Sequence, residues 1–263
     1  MNKLFSWKAL RILILLIILL IVWNRTQLQK TLTTSWNTPL DVVIYPINAD
    51  KAEKSSSHID FLQDMHIKPL QDFFSRQAKD HSLWTDKPIN FRINKTLLET
   101  PPLPPVQGSF LQNMVWSIKF RWWSNKHKSS DDHLTQVRLY VLFHNPKDYQ
   151  QLPHSAGLQK GLIGIVYAFA DRNYNTQNNI IIAHELLHTL GATDKYDLQT
   201  GQPLYPHGYA EPNKVPLLPQ SKTEIMGGHR PLTDTTSKMP EYLSRIIIGE
   251  LTAREIGWLE NKN

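Results

Sequence analysis

Residues 184–197 read HELLHTLGATDKYD. His184 and His188 are four apart, which on a helix puts both imidazoles on one face, a turn apart, where both reach one metal ion. Glu185 follows the first histidine and is placed to act as a general base on a water beside that metal. Gly191 lets the chain leave the helix through a left-handed turn. Asp194, three residues on, supplies a carboxylate that completes a three-ligand, open-sided site. Asp197 is the alternative carboxylate, as a group orienting a histidine ring or as a turn cap.

The five-residue core HExxH is a modest signal alone, and the fixed offsets of Gly191 and Asp194 make it specific. The flanks agree with it. The run NNIIIA precedes the motif, and Leu186, Leu187 and Leu190 give the helix a second, apolar side. The rival reading is an ordinary amphipathic helix with two surface histidines.

The pattern HExxHxxGxxDxYD resembles the snapalysin-like and immune inhibitor A-like metalloproteases, metzincin-type zincins with Asp as third ligand. By that resemblance His184, His188 and Asp194 match the zinc ligands, and Glu185 the base. Met226 in TEIMGG, 38 residues after His188, matches the methionine of the turn beneath the metal. Gly227 and Gly228 follow it, so the Tyr that some metzincins place two residues after the Met is absent. The resemblance covers roughly residues 160–230. It implies a zinc-dependent endopeptidase acting on peptides or proteins, with an α/β (α+β, zincin-like) fold: a mixed twisted sheet, an active-site helix, a Met-turn and a C-terminal helix. Other candidates to steady an oxyanion are Tyr205, His207 and Tyr209 in PLYPHGYAEP, and His229 after the Met-turn. A gluzincin plan would instead draw a third ligand from Glu211, Glu224, Glu250 or Glu255. A non-catalytic, membrane-anchored zinc-binding scaffold is the alternative of a different class. Glu185 argues against it, because a structural site needs no base and usually has four protein ligands.

The chain has 263 residues, enough for one full core plus an appendage. It has no cysteine, which excludes disulfides and thiolate chemistry. The net charge of +6 comes without any basic repeat or nucleic-acid motif, so no nucleic-acid partner is expected. Residues 12–23, ILILLIILLIVW, are uncharged and apolar, and Lys3, Lys8 and Arg11 lie before or at their start. No small-residue cleavage site follows. This predicts an N-terminal membrane anchor over 1–23, with a cleaved signal as the alternative, a linker over 24–36 and the zincin-like domain over 37–263. That domain is expected outside a single-pass inner (cytoplasmic) membrane segment, on the periplasmic side.

Along the domain, LDVVIYPI (40–47), INFRI (89–93), VRLYVLF (137–143) and LIGIVYAFA (162–170) read as strands. The last is the expected partner of an extended substrate. Residues 58–79 read as one long amphipathic helix, kinked at Pro69. Residues 109–127 fit both periods. Ser109 as N-cap and the basic C-terminal end favour a helix, either docked on the domain or lying at a membrane interface. Residues 198–223 read as loop and 248–258 as a final helix.

Overall fold

The computed structural model describes residues 7–106, 108–128, 136–159 and 161–260. Lys3 lies outside them. Strands β1 (Leu40–Asn48), β2 (Ile89–Ile93), β3 (Val137–His144), β4 (Ala156–Leu158) and β5 (Ile163–Phe169) form one sheet in the order β2-β1-β3-β5-β4. The first four run parallel, and β4 pairs antiparallel with β5 at the edge. The chain is therefore α/β with a mixed sheet.

Both faces of the sheet are covered, which is why its strands read as nearly unbroken apolar runs. Along β1, Leu40, Val42 and Ile44 face one core while Val43, Tyr45 and Ile47 face the other. The first core is filled by helices α2 (Glu53–Phe61), α3 (Asp64–Asp80), α5 (Asn175–Leu190) and α6 (Glu250–Glu255), through side chains such as Phe73, Phe74, Leu186 and Leu187. The second is closed by α4 (Phe110–Lys126), whose Trp116, Phe120 and Trp123 pack against Tyr140 and its neighbours. Ser109 caps α4 in a full capping box with Gln112, so the helical reading of 109–127 holds.

Several expectations need correction. The helix of 58–79 is two helices, broken at Leu62 and Gln63 and not at Pro69. The Gln63 carbonyl accepts the His66 N–H at 2.8 Å, and the Gln63 N–H donates to His66 Nδ1 at 3.1 Å. That cap provides a better end than the proline does, and Pro69 is carried inside α3. The final helix is shorter than 248–258, because the chain turns out at Gly257 with φ 79°. Strand β4 was not foreseen.

Residues 24–34 of the expected linker are helical. They continue helix α1 (Trp7–Thr34). Two residues later Trp36 is already core: its indole N–H donates to the Ile256 carbonyl at 2.7 Å, and its ring meets Trp258 edge-on. The apolar side chains from Ile12 to Ile21 are all exposed. Among the described residues no helix is long and apolar enough to cross a membrane. An uncharged run of twelve residues rises only about 18 Å, against the about 30 Å of a bilayer core. The fold thus does not bear out a full transmembrane anchor over 1–23.

Two histidines lie buried in the body. His58 packs against Phe143 with ring centroids 5.2 Å apart, and its Nε2 has no hydrogen-bond partner. Burial lowers its pKa, although Asp171 partly opposes this. Burial also lowers the pKa of His144. An imidazole whose folded pKa is depressed is protonated more readily in the unfolded chain, so its contribution to stability is present above the unfolded value and lost as pH falls below it. In chelator-treated protein, the melting temperature should fall between about pH 7.5 and about pH 5.5, a window spanning the ordinary histidine value. It should fall less in His58→Leu than in the wild type. An equal fall in both would show that His58 takes no part.

Candidate metal centre

Helix α5 is fixed at both ends before its histidines are considered. At the start, Asn178 takes the place of a strand partner for Phe169, accepting from its N–H at 3.1 Å and donating to its carbonyl at 2.9 Å. Asn179 donates to the His66 carbonyl and ties the same turn to α3. At the far end Gly191 adopts φ 108°, and the N–H groups of Gly191 and Ala192 return to the last turn of the helix. This is the left-handed exit expected from the sequence.

That exit carries the chain back under the histidines. His184 Nδ1 lies 2.9 Å from the Ile225 carbonyl, and His188 Nδ1 lies 2.9 Å from the Ala192 carbonyl. A carbonyl only accepts, so each Nδ1 carries the proton. In the neutral rings both Nε2 atoms are then bare acceptors. They lie 3.1 Å from each other, and the Asp194 Oδ1 lies 3.3 Å from His184 Nε2 and 3.1 Å from His188 Nε2. Three lone-pair donors thus form a nearly equilateral triangle, and the buried Asp194 Oδ1 has no hydrogen-bond partner. Ligands held at about 2.0–2.1 Å around a tetrahedral zinc are separated by about 3.3 Å. The residues present fit that ion.

Electrostatics favour a cation at the same point. Burial disfavours charge on His184, yet Asp194 and Glu185 outweigh it and raise the His184 pKa. Burial alone would raise the Asp194 pKa, but the two histidines hold it far below the usual carboxylate range. Glu185 is nearly enclosed, which raises its pKa, and its carboxylate accepts from the Gly157 backbone N–H. One Glu185 oxygen is buried without a partner. A ligand atom of Glu185 lies within 4.8 Å of those of both histidines, but Asp194 is closer and completes the triangle. Glu185 is therefore the group beside the site, and Asp194 the third donor.

Asp194 is held from both flanks by one side chain that sequence reasoning placed elsewhere. Glu255 accepts from Thr193 N and Oγ1 at 3.1 and 2.6 Å, and from the buried Lys195 Nζ at 2.7 Å. The other glutamates of the gluzincin alternative are similarly engaged away from the histidines. Glu211 bonds Ser221, Glu250 pairs with Arg254, and Glu224 accepts from Gly227, Gly249 and Thr252. Asp197 accepts from the backbone of Gln199 and Thr200, so it caps a turn. Met226 is fully buried beneath the site in the turn Ile225–Gly227, and its carbonyl accepts from Lys195 N at 2.8 Å.

His184 and Glu185 open onto a cleft of about 620 Å³, lined by Tyr167, Phe169, Ile181, Tyr196 and His229 among others. Of the four suggested oxyanion donors, His229 alone lines it. Tyr205 and Tyr209 meet each other edge-on at 5.5 Å, and neither they nor His207 reach the cleft. Tyr196 does, and it was not singled out. Its ring lies 6.4 Å from that of His184, and burial, with the Asp194 and Glu185 charges, pushes its pKa up to about 12, so it stays protonated. The DxYD spacing contained this residue, but only the turn after Gly191 shows where its ring goes. The edge nearest the site is β4 and not β5: a Cβ added at Gly157 would sit 2.7 Å from the Glu185 carbonyl oxygen and 2.7 Å from the His188 Cβ.

No protein-family model matches the chain, and no curated protein matches it significantly. The site therefore has to be read from its own geometry.

Metal content checks the triangle. The protein is expected to retain one zinc per chain, and His184→Ala, His188→Ala and Asp194→Ala should each weaken or abolish retention. Undiminished zinc in all three would reject the ligand set. Gly157→Val forces a side chain into backbone, so it should cost about 1–3 kcal/mol of stability, seen as a lower melting temperature together with weaker zinc retention. A variant as stable as the wild type would show that the close approach of β4 to α5 is unimportant.

Proposed function

We propose that this chain is a zinc-dependent metalloendopeptidase of the metzincin type, with His184, His188 and Asp194 holding the metal and Glu185 as general base. The observation that carries this reading is the meeting of two bare Nε2 atoms and one unpartnered Asp194 oxygen within 3.1–3.3 Å. When bound there, zinc supplies a Lewis acid that acidifies a water and polarises a carbonyl.

The remaining chemistry belongs to the chain. Glu185 takes a proton from the attacking water and passes it to the leaving amine. Its burial raises its proton affinity, which suits a group that must both accept and release a proton near neutral pH. Tyr196, protonated and facing the cleft, and His229 are the donors positioned to steady charge on the carbonyl oxygen. An extended peptide gains backbone pairing along β4, whose far edge has no strand partner among the described residues. The scaffold alternative is less well supported, because a buried, half-unpartnered Glu185 facing a cleft has no structural purpose.

Membrane attachment belongs to the same proposal. The exposed apolar side chains of α1, with Lys8 and Arg11 at its start, support a protein held at the inner membrane by its N-terminal segment, with the domain on the outer side.

Glu185→Gln removes the base and leaves the ligands. It should retain zinc and melt like the wild type, while hydrolysis of a cleavable peptide falls by at least ~100-fold. Turnover at the wild-type rate would remove the mechanism. A wild type that retains zinc but cuts nothing in a broad peptide library would favour the scaffold.

A further inference from the structure

Helix α4 carries apolar residues on two sides, and the domain covers only one of them. Trp116, Phe120 and Trp123 face the sheet. Phe110, Met114, Ile118 and Trp122, four residues apart in turn, point outward with exposures of 81, 43, 56 and 69%. Leu111 and Val115 broaden this stripe, and with Leu103 and Pro105 they line an open groove of about 460 Å³. Contiguous exposed apolar surface of this kind marks an interaction face.

The surroundings of the stripe say what covers it. Between residues 94 and 128 the described charges are Lys95, Lys119, Arg121, Lys126 and Lys128 against Glu99 alone, and Glu99 is engaged by His127 at 2.9 Å. Lys119 and Lys126 are exposed on α4 itself. An apolar stripe edged by long basic side chains fits an interface whose outer layer is anionic and whose inner layer is hydrocarbon. The apolar run of α1 also lies close to the body along the chain. Trp23 ends the apolar run, and Trp36, thirteen residues on, is fixed in the core. Those residues span roughly 20 Å as helix.

We infer that the outer face of α4, with Leu103 beside it, seats in the headgroup–acyl boundary of an anionic bilayer, giving the domain a second membrane contact besides α1. This rests on the membrane-attachment part of the proposed function and is independent of the zinc chemistry.

The absence of cysteine lets a single introduced one be labelled uniquely. The full chain is reconstituted in vesicles containing phosphatidylglycerol, with a nitroxide at Ile17→Cys, Met114→Cys or Lys68→Cys. Immersion depth is read from relative accessibility to oxygen and to a polar nickel chelate. Probes at 17 and 114 should be immersed and the probe at 68 aqueous. Lys119→Glu with Lys126→Glu should move the 114 probe into water and leave the 17 probe in place. An immersed 17 probe with an aqueous 114 probe overturns the α4 contact while sparing the attachment reading, and two aqueous probes overturn both. A 114 probe equally immersed in purely zwitterionic vesicles and in the charge-reversed variant overturns the anionic preference. Shielding of the 114 probe without vesicles, growing with protein concentration, assigns the face to a second copy of the chain and also overturns the proposal.

Discussion

Two backbone carbonyls, those of Ile225 and Ala192, decide what the histidines can do. By accepting the Nδ1 protons they leave both Nε2 atoms bare and turned toward Asp194. Each carbonyl is supplied by a different device: the Ala192 carbonyl by the left-handed turn at Gly191, the Ile225 carbonyl by the turn Ile225–Gly227. That turn is itself held by Glu224, which binds Gly227, Gly249 and Thr252 and so joins the turn to the start of α6. The candidate metal site and the C-terminal packing are therefore one structure. Asp194 and Glu185 favour positive charge between the histidines, which a proton on His184 or a divalent cation supplies.

Much of this was legible in the sequence because it is encoded locally. Three of the parallel strands, β1, β3 and β5, announce themselves as apolar runs, since each is buried on both faces, while β2 alternates as a half-buried edge strand. The ligand helix, its glycine exit and the carboxylate at a fixed offset lie within eleven residues. Where contacts span long separations, the sequence was mute. Glu255 reaches Thr193 across 62 positions, and nothing around it marks it as a support for Asp194. Strand β4 is three residues long, too short for any period, and its decisive residue is a glycine whose importance is the absence of a side chain. Tyr205, His207 and Tyr209 were drawn into the candidate site by residue type alone. In a segment without periodicity, composition does not say which way a ring points. The break at Leu62 and Gln63 was hidden because Gln and His are unusual capping partners, whereas Pro69 is a conspicuous but tolerated interruption.

Helix α4 shows the opposite difficulty. Its two competing periods arose because apolar residues occupy both its sides, and the fold uses only the face carrying Trp116, Phe120 and Trp123. Ambiguity in the pattern was thus a physical property of the segment.

The junction at Trp36 links the two ends of the chain. Its indole is bonded to Ile256, the residue after Glu255, and Glu255 grips both neighbours of Asp194. The N-terminal helix therefore joins the body just past the end of α6, one residue from the carboxylate that braces the loop carrying Asp194, so the positions of Trp36 and Asp194 share one short bonded path.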